Sequence, residues 1–143
     1  MNTGKIAFVC LHGSAKSLIA AEYFNRLARK NRLPFAATTS GPEPDPEVPL
    51  NVIEGLLSHA IDVRGYRPTM ISADGLADAS LIVSFACESG ARLAPGNPVE
   101  RWDDCPAVSA DFETAWRFIT GRVEQLVTRL EHAPATISAE QRS

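Results

Sequence analysis

The chain has 143 residues, enough for one domain with a substantial buried core. Fourteen Lys and Arg against seventeen Asp and Glu leave a net charge of −3 without like-charged blocks, which excludes nucleic acid or an anionic membrane surface as the main partner. No apolar run is long enough to span a bilayer, and the opening MNTGKIAFVC leads straight into a strand pattern instead of a secretory leader.

Residues 4–10 form the first predicted strand, with Ile6-Ala7-Phe8-Val9 running into Cys10. A helix follows over roughly 15–31, its apolar stripe carried by Ile19, Tyr23 and Leu27 beside Ala20 and Phe24. LPFAATTSG reads as a second strand, and PEPDPEVP is too rich in proline for the interior of any element, so it is a surface loop. It delivers the chain to a second helix from Leu50 to Ala60. ASLIVSF lacks polar alternation, the mark of a strand covered on both faces, and a short strand follows near Val99 to Trp102. In the last helix Phe112, Trp116, Ile119, Val123, Leu126, Val127 and Leu130 fall at helical spacing, with Ser109 or Asp111 as N-cap.

Strands alternating with helices predict an α/β fold: a small three-layer sandwich with a four-stranded parallel sheet and helices on both faces. Residues 1–134 make its single domain and 135–143 a flexible tail. Ligands of such sheets bind beyond the carboxyl ends of the strands, where Cys10 lies.

CLHGSAKS, residues 10–17, is therefore the stretch that carries chemistry. A strand-to-helix loop gathers N–H groups at the positive end of a helix, where anions bind and where the same field favours a thiolate. Gly13, Ser14 and Ala15 let the backbone close on a tetrahedral oxyanion, Lys16 brings a positive charge, and Ser17 either hydrogen-bonds the thiolate or caps the helix. Cys10, Cys87 and Cys105 have no metal-ligand spacing and cannot all pair with one another, so a reducing, cytoplasmic setting is expected, with neither metal nor cofactor.

Cys10, five residues, a basic residue and Ser17 on the first strand-to-helix turn resemble the Cys-x5-Arg-Ser phosphate loop of the low-molecular-weight protein tyrosine phosphatases and of the arsenate reductases sharing their fold. TSGPEP, AIDVRGYRP, ASLIVSF and RWDDCPA are similar to later segments of that family, in the same order. The resemblance implies a phosphatase that hydrolyses phosphate monoesters through a cysteinyl-phosphate. Cys10 attacks phosphorus in line, while Leu11, His12, Gly13, Ser14, Ala15 and Ser17 bind the phosphoryl oxygens with the help of Lys16. An aspartic acid close to Pro106 protonates the leaving oxygen and then activates water; Asp104 is the residue implied, with Asp103 as the alternative. The substrate is a phosphate monoester, a phosphoprotein included.

Three departures from the pattern bear on function. Lys16 replaces the arginine, exchanging a bidentate fork for a single rotatable charge; Gly13 replaces an asparagine that takes a left-handed conformation; and Ala107 and Val108 follow the proline where the phosphotyrosine enzymes have aromatic residues. His12, Ser14 and Pro106-Ala107 are more similar to the arsenate reductases. In the thioredoxin-recycled members Cys87 would be the first relay cysteine, but the second would fall near Ala91, so an arsenate reductase here would use an external thiol. A degenerate oxyanion-binding module that lost efficient chemistry with the arginine is the third reading.

Overall fold

A computed structural model describes residues 4–132. Four strands and five helices alternate along it: β1 (Gly4–Val9), α1 (Lys16–Lys30), β2 (Phe35–Ser40), α2 (Leu50–Leu57), α3 (Ala73–Ala77), β3 (Leu81–Ser84), α4 (Ser89–Leu93), β4 (Val99–Arg101) and α5 (Phe112–His132). The strands form one sheet in the order β2-β1-β3-β4, every neighbouring pair parallel. This is the expected fold class, and β1 lies between two partners, with Val9 level with Ser40 on one side and Ser84 on the other. Cys10 therefore leaves the carboxyl edge of an interior strand.

Alternation along the strands sorts side chains to the two faces of the sheet. Ile6, Phe8, Val83 and Phe85 enter the larger core with Leu18, Ile19 and Phe24 of α1 and Trp116, Ile119 and Val123 of α5. Ala7, Val9 and Ile82 enter the smaller one with Leu76 of α3 and Ala94 beyond α4. Phe8 stacks obliquely between Phe24, at 6.1 Å, and Trp102, at 5.8 Å, and Trp102 meets Phe85 edge-on at 5.6 Å. Burial of a side chain such as Phe8 contributes about 1.5–3 kcal/mol, so this aromatic column fixes the carboxyl end of the sheet beneath the loops.

The helix boundaries have local causes. Asp111 is the cap of α5, accepting from the N–H groups of Glu113 and Thr114 at 3.1 and 3.4 Å, which decides between the two candidates. α2 ends at Leu57, short of Ala60, because Ala60 turns left-handed at φ 64° and the N–H of Ile61 reaches back to the carbonyl of Leu56. α3 and α4 were not expected: five residues are too few to display helical periodicity, although Ser72 caps the first by accepting from Gly75 N–H. The proposed tail, 135–143, lies outside the described residues.

Candidate active site

The loop from Cys10 to Ala15 is shaped by the segment that follows β2. The N–H groups of Glu43 and Asp45 donate to the carbonyls of Leu11 and His12. His12 Nδ1–H donates to the Glu43 carbonyl at 2.7 Å, and the buried Ser14 hydroxyl donates to Asp45 Oδ2 at 2.6 Å. Among the described residues no internal acceptor takes the backbone N–H groups of residues 11–15, which leaves a run of donors at the entrance of α1 for an anion.

Two glycines make this packing possible. Gly13 is left-handed, at φ 61°, and a Cβ on it would lie 2.9 Å from the Ser40 carbonyl carbon. Gly41 passes so close beneath the loop that a Cβ would lie 2.3 Å from the Cys10 carbonyl oxygen and 2.6 Å from that of Leu11.

Cys10 is buried, and its sulfur lies 3.0 Å from the Ser17 hydroxyl, which lies 2.5 Å from that of Thr39. With the sulfur ionised, the polarity of this chain is set: Ser17 O–H donates to the thiolate and accepts from Thr39. Ser17 is therefore a partner of the thiol and not a helix cap; the N-cap of α1 is Ala15, without any side-chain cap. Lys16 opens the helix half-buried, and its ammonium acts on both the Asp103 carboxylate and the Cys105 thiol.

The loop after β4 divides the two aspartates. Asp103 accepts from Ala86 N–H at 2.7 Å and from Arg101 Nε–H at 2.9 Å, and Arg101 also pairs with Glu88. The Arg101 bond, then that to the Ala86 amide, holds the Asp103 carboxyl below the usual carboxylate range. Asp104 instead turns to Arg122 of α5, whose guanidinium it meets at 3.0 Å, leaving the carboxylate largely exposed. Arg122 in turn lies over Phe118 and Trp102. After them Cys105 is turned inward: it is buried in the same core cluster as Cys10, and burial pushes its thiol up to about 11 against the pull of Lys16.

Cys87 is separated from this group. It belongs to the smaller core with Ala7 and Val9, on the other face of the sheet from Cys10. Of the residues after the acid loop's proline, Ala107 is exposed and Val108 is buried, so neither offers a ring at the entrance. Arg64 is exposed and paired with Asp62, and Arg67 lines a separate hollow of about 320 Å³ with Glu47, Val48 and Tyr66. Sequence reasoning gave no role to Thr39, Gly41 or Asp45: Thr39 and Gly41 lie in TSGPEP, whose likeness to a family segment was legible, but nothing said which loop that segment and the acidic residue after it would meet.

The sequence model for low molecular weight phosphotyrosine protein phosphatase matches residues 5–101, from β1 to the end of β4. The chain belongs to this family. Solved structures place the low-molecular-weight phosphatase fold over almost the whole chain. YfkJ from Bacillus subtilis superposes with a TM-score of 0.78 at 21% identity, covering 92% of this chain and 96% of that one. A thioredoxin-dependent arsenate reductase from Corynebacterium glutamicum gives 0.78 at 18% identity, covering 91% of this chain and 63% of the other. Wzb of Vibrio vulnificus, solved with benzylphosphonate, gives 0.76 at 14% identity, covering 90% and 99%. No curated protein sequence matches significantly. At these identities the structural likeness speaks for the fold of the phosphatase family and its arsenate-reducing relatives.

Proposed function

We propose that this chain is a cysteine-dependent phosphatase that hydrolyses phosphate monoesters through a cysteinyl-phosphate on Cys10. The observation that carries the reading is the Cys10–Ser17–Thr39 chain at the floor of the loop, which gives a buried sulfur a donor that stabilises its anion. The sulfur attacks phosphorus, the bond to the ester oxygen breaks, and the loop amides with Lys16 hold the three remaining oxygens. Of the two aspartates, Asp104 suits the proton donor. Asp103 is held as an anion from two sides and anchors the loop to the end of β3, whereas Asp104 has one surface partner to exchange for the leaving group. Water then cleaves the S–P bond with Asp104 acting as base.

The entrance fits a broad range of monoesters better than a phosphotyrosine ring, because Ala107 and Val108 supply no aromatic wall. A phosphoprotein is the macromolecular substrate this allows, and a reducing cytoplasmic setting suits a site built on a free thiol. The same open, oxyanion-sized cradle favours a second reading, arsenate reduction with an external thiol, and Lys16 favours a third, an oxyanion binder with little turnover.

One comparison tests the three. Purified wild type and Cys10→Ser are assayed with an aryl phosphate, and with arsenate plus small thiols. Ester turnover by wild type without added thiol, abolished in Cys10→Ser, is the expected result. Reduction of arsenate without ester hydrolysis would replace this reading with the second, and phosphate binding without either reaction would replace it with the third.

A further inference from the structure

The proline-rich stretch PEPDPEVP, residues 42–49, packs against the cradle without taking part in the chemistry at the sulfur. Asp45 stands in it between Pro44 and Pro46. A proline fixes its own φ and pushes the residue before it toward an extended backbone, so the arm that carries Asp45 is stiff. Asp45 makes two bonds to the β1–α1 loop. Its N–H donates to the His12 carbonyl at 3.4 Å, and its Oδ2 accepts from the buried Ser14 hydroxyl at 2.6 Å. Those two partners flank Gly13, the residue that turns left-handed at φ 61°. The His12 ring does not compete for the carboxylate: its Nδ1 is 3.7 Å from Oδ1 and donates to the Glu43 carbonyl instead.

We infer that Asp45 is a positioning residue of the oxyanion cradle, clamping the loop across Gly13 so that the N–H groups of residues 11–15 stay aligned for a phosphate. The inference rests on the reading of this loop as an oxyanion cradle, and Asp45 acts in it through Ser14 and His12. A glycine has no Cβ to hold it in one region of backbone space, so nothing local keeps Gly13 left-handed. A loop that turned on that residue alone would have to be ordered by the anion itself. Bonds to the residues on either side of the glycine remove that freedom before the anion arrives, and a stiff arm makes them at little entropic cost.

The two hydroxyls of the loop therefore have separate duties. Ser17, backed by Thr39, supports the sulfur, and Ser14, tied to Asp45, supports the amides. The Ser14 hydroxyl is committed to a carboxylate, a stronger acceptor than a neutral group, so Ser14 serves the anion through its N–H alone. A carboxylate beside an anion site also repels the anion. What Asp45 contributes is its acceptor and not its charge, and affinity for the anion is separable from reactivity of the thiol.

Binding of inorganic phosphate to the full-length protein is measured by calorimetry for wild type, Asp45→Ala, Asp45→Asn, Ser14→Ala and the double variant Ser14→Ala/Asp45→Ala. The rate of Cys10 alkylation by iodoacetamide without phosphate is followed on the same samples. Asp45→Ala is expected to weaken phosphate binding about tenfold, the effect of losing one hydrogen bond to a charged group. Asp45→Asn, which keeps an acceptor and sheds the charge, is expected to recover most of that loss. The double variant is expected to bind no worse than Asp45→Ala, because both side chains act through one bond. Alkylation of Cys10 is expected to be unchanged throughout, since Ser17 and Thr39 are untouched; a general loosening of the loop would move it. Thermal melting establishes that each variant is folded, and if Asp45→Ala is not, Ser14→Ala removes the same bond from its other end with the same expectation. Wild-type affinity in a folded Asp45→Ala, an Asp45→Asn no better than Asp45→Ala, losses that add in the double variant, or alkylation that moves with affinity would each overturn the inference. None of these readouts depends on turnover. If wild type binds phosphate but hydrolyses no ester, the phosphatase reading alone falls; if it binds no phosphate, both fall together.

Discussion

Position 16 presents an ammonium at the mouth of α1, and its charge reaches both Asp103 and Cys105. A single charge neutralises a bound oxyanion but cannot follow two oxygens as they spread in the transition state. Replacement Lys16→Arg is therefore expected to raise kcat about tenfold or more, the equivalent of a charge-assisted hydrogen bond of roughly 1.5–3 kcal/mol, whereas Lys16→Ala should lose phosphate protection of Cys10 against iodoacetamide. Unchanged protection in Lys16→Ala would place the ammonium outside the cradle. The aspartates give a second comparison. Asp104→Asn should slow alkyl esters, whose leaving groups need a proton, by roughly 10² or more, with a much smaller effect on activated aryl esters. Asp103→Asn should slow both alike, because it releases the loop from Ala86 and Arg101. The reverse pattern would exchange the two roles. Single residues were also where the sequence was most legible: Cys10 and Ser17 announce each other by spacing on one turn, and the loop between them folds locally. Thr39 completes the same hydroxyl chain from a neighbouring strand; it opens TSGPEP, but no local pattern there says that it meets Ser17.

Among the elements, legibility followed length and periodicity. α1 and α5 are long enough to repeat an apolar stripe several times, and β1 and β3 carry the unbroken apolar runs Ile6–Val9 and Leu81–Val83 because both of their faces are covered there. α3 and α4 have too few residues to repeat anything. The contact of the β1–α1 loop with the segment after β2 was hidden for another reason: it depends on the absence of a side chain at Gly41, and a lone glycine reads as an ordinary turn. Gly41→Ala tests that contact. The added methyl would meet the Cys10 and Leu11 carbonyl oxygens, which are backbone and have nowhere to go, so the loop must shift. Destabilisation of about 1–3 kcal/mol is expected in urea titration, accompanied by at least a tenfold loss of phosphate affinity. Wild-type affinity in the variant would mean that the loop owes its shape to its own sequence alone.

Across the whole molecule the sheet acts as a partition, and the thiols report on it. Cys105 is pushed up to about 11, chiefly by burial, with Asp104 and Cys10 reinforcing and Lys16 and Arg122 opposing the shift. An unfolded thiol ionises near 8.5. Because the folded value is the higher one, the stability it contributes is complete below about 8.5 and is lost as the pH rises through about 11. Urea midpoints should therefore fall between those limits and fall less steeply in Cys105→Ser. Tyr23, pushed up to about 12 by burial and by Glu124, adds a drop of the same sign to both proteins, so the difference between them isolates Cys105. Equal slopes would mean that Cys105 is open to water. That Cys105 and Cys10 belong to one core cluster is a property of the fold as a whole, set by strand order and not by any spacing along the chain. The nesting of Gly41 against the β1–α1 loop carries one more consequence, and it concerns time. A loop braced by its own backbone has no slow rearrangement to complete before an anion enters. Its association should appear in stopped flow as a single exponential whose observed rate climbs linearly with phosphate concentration, without a plateau.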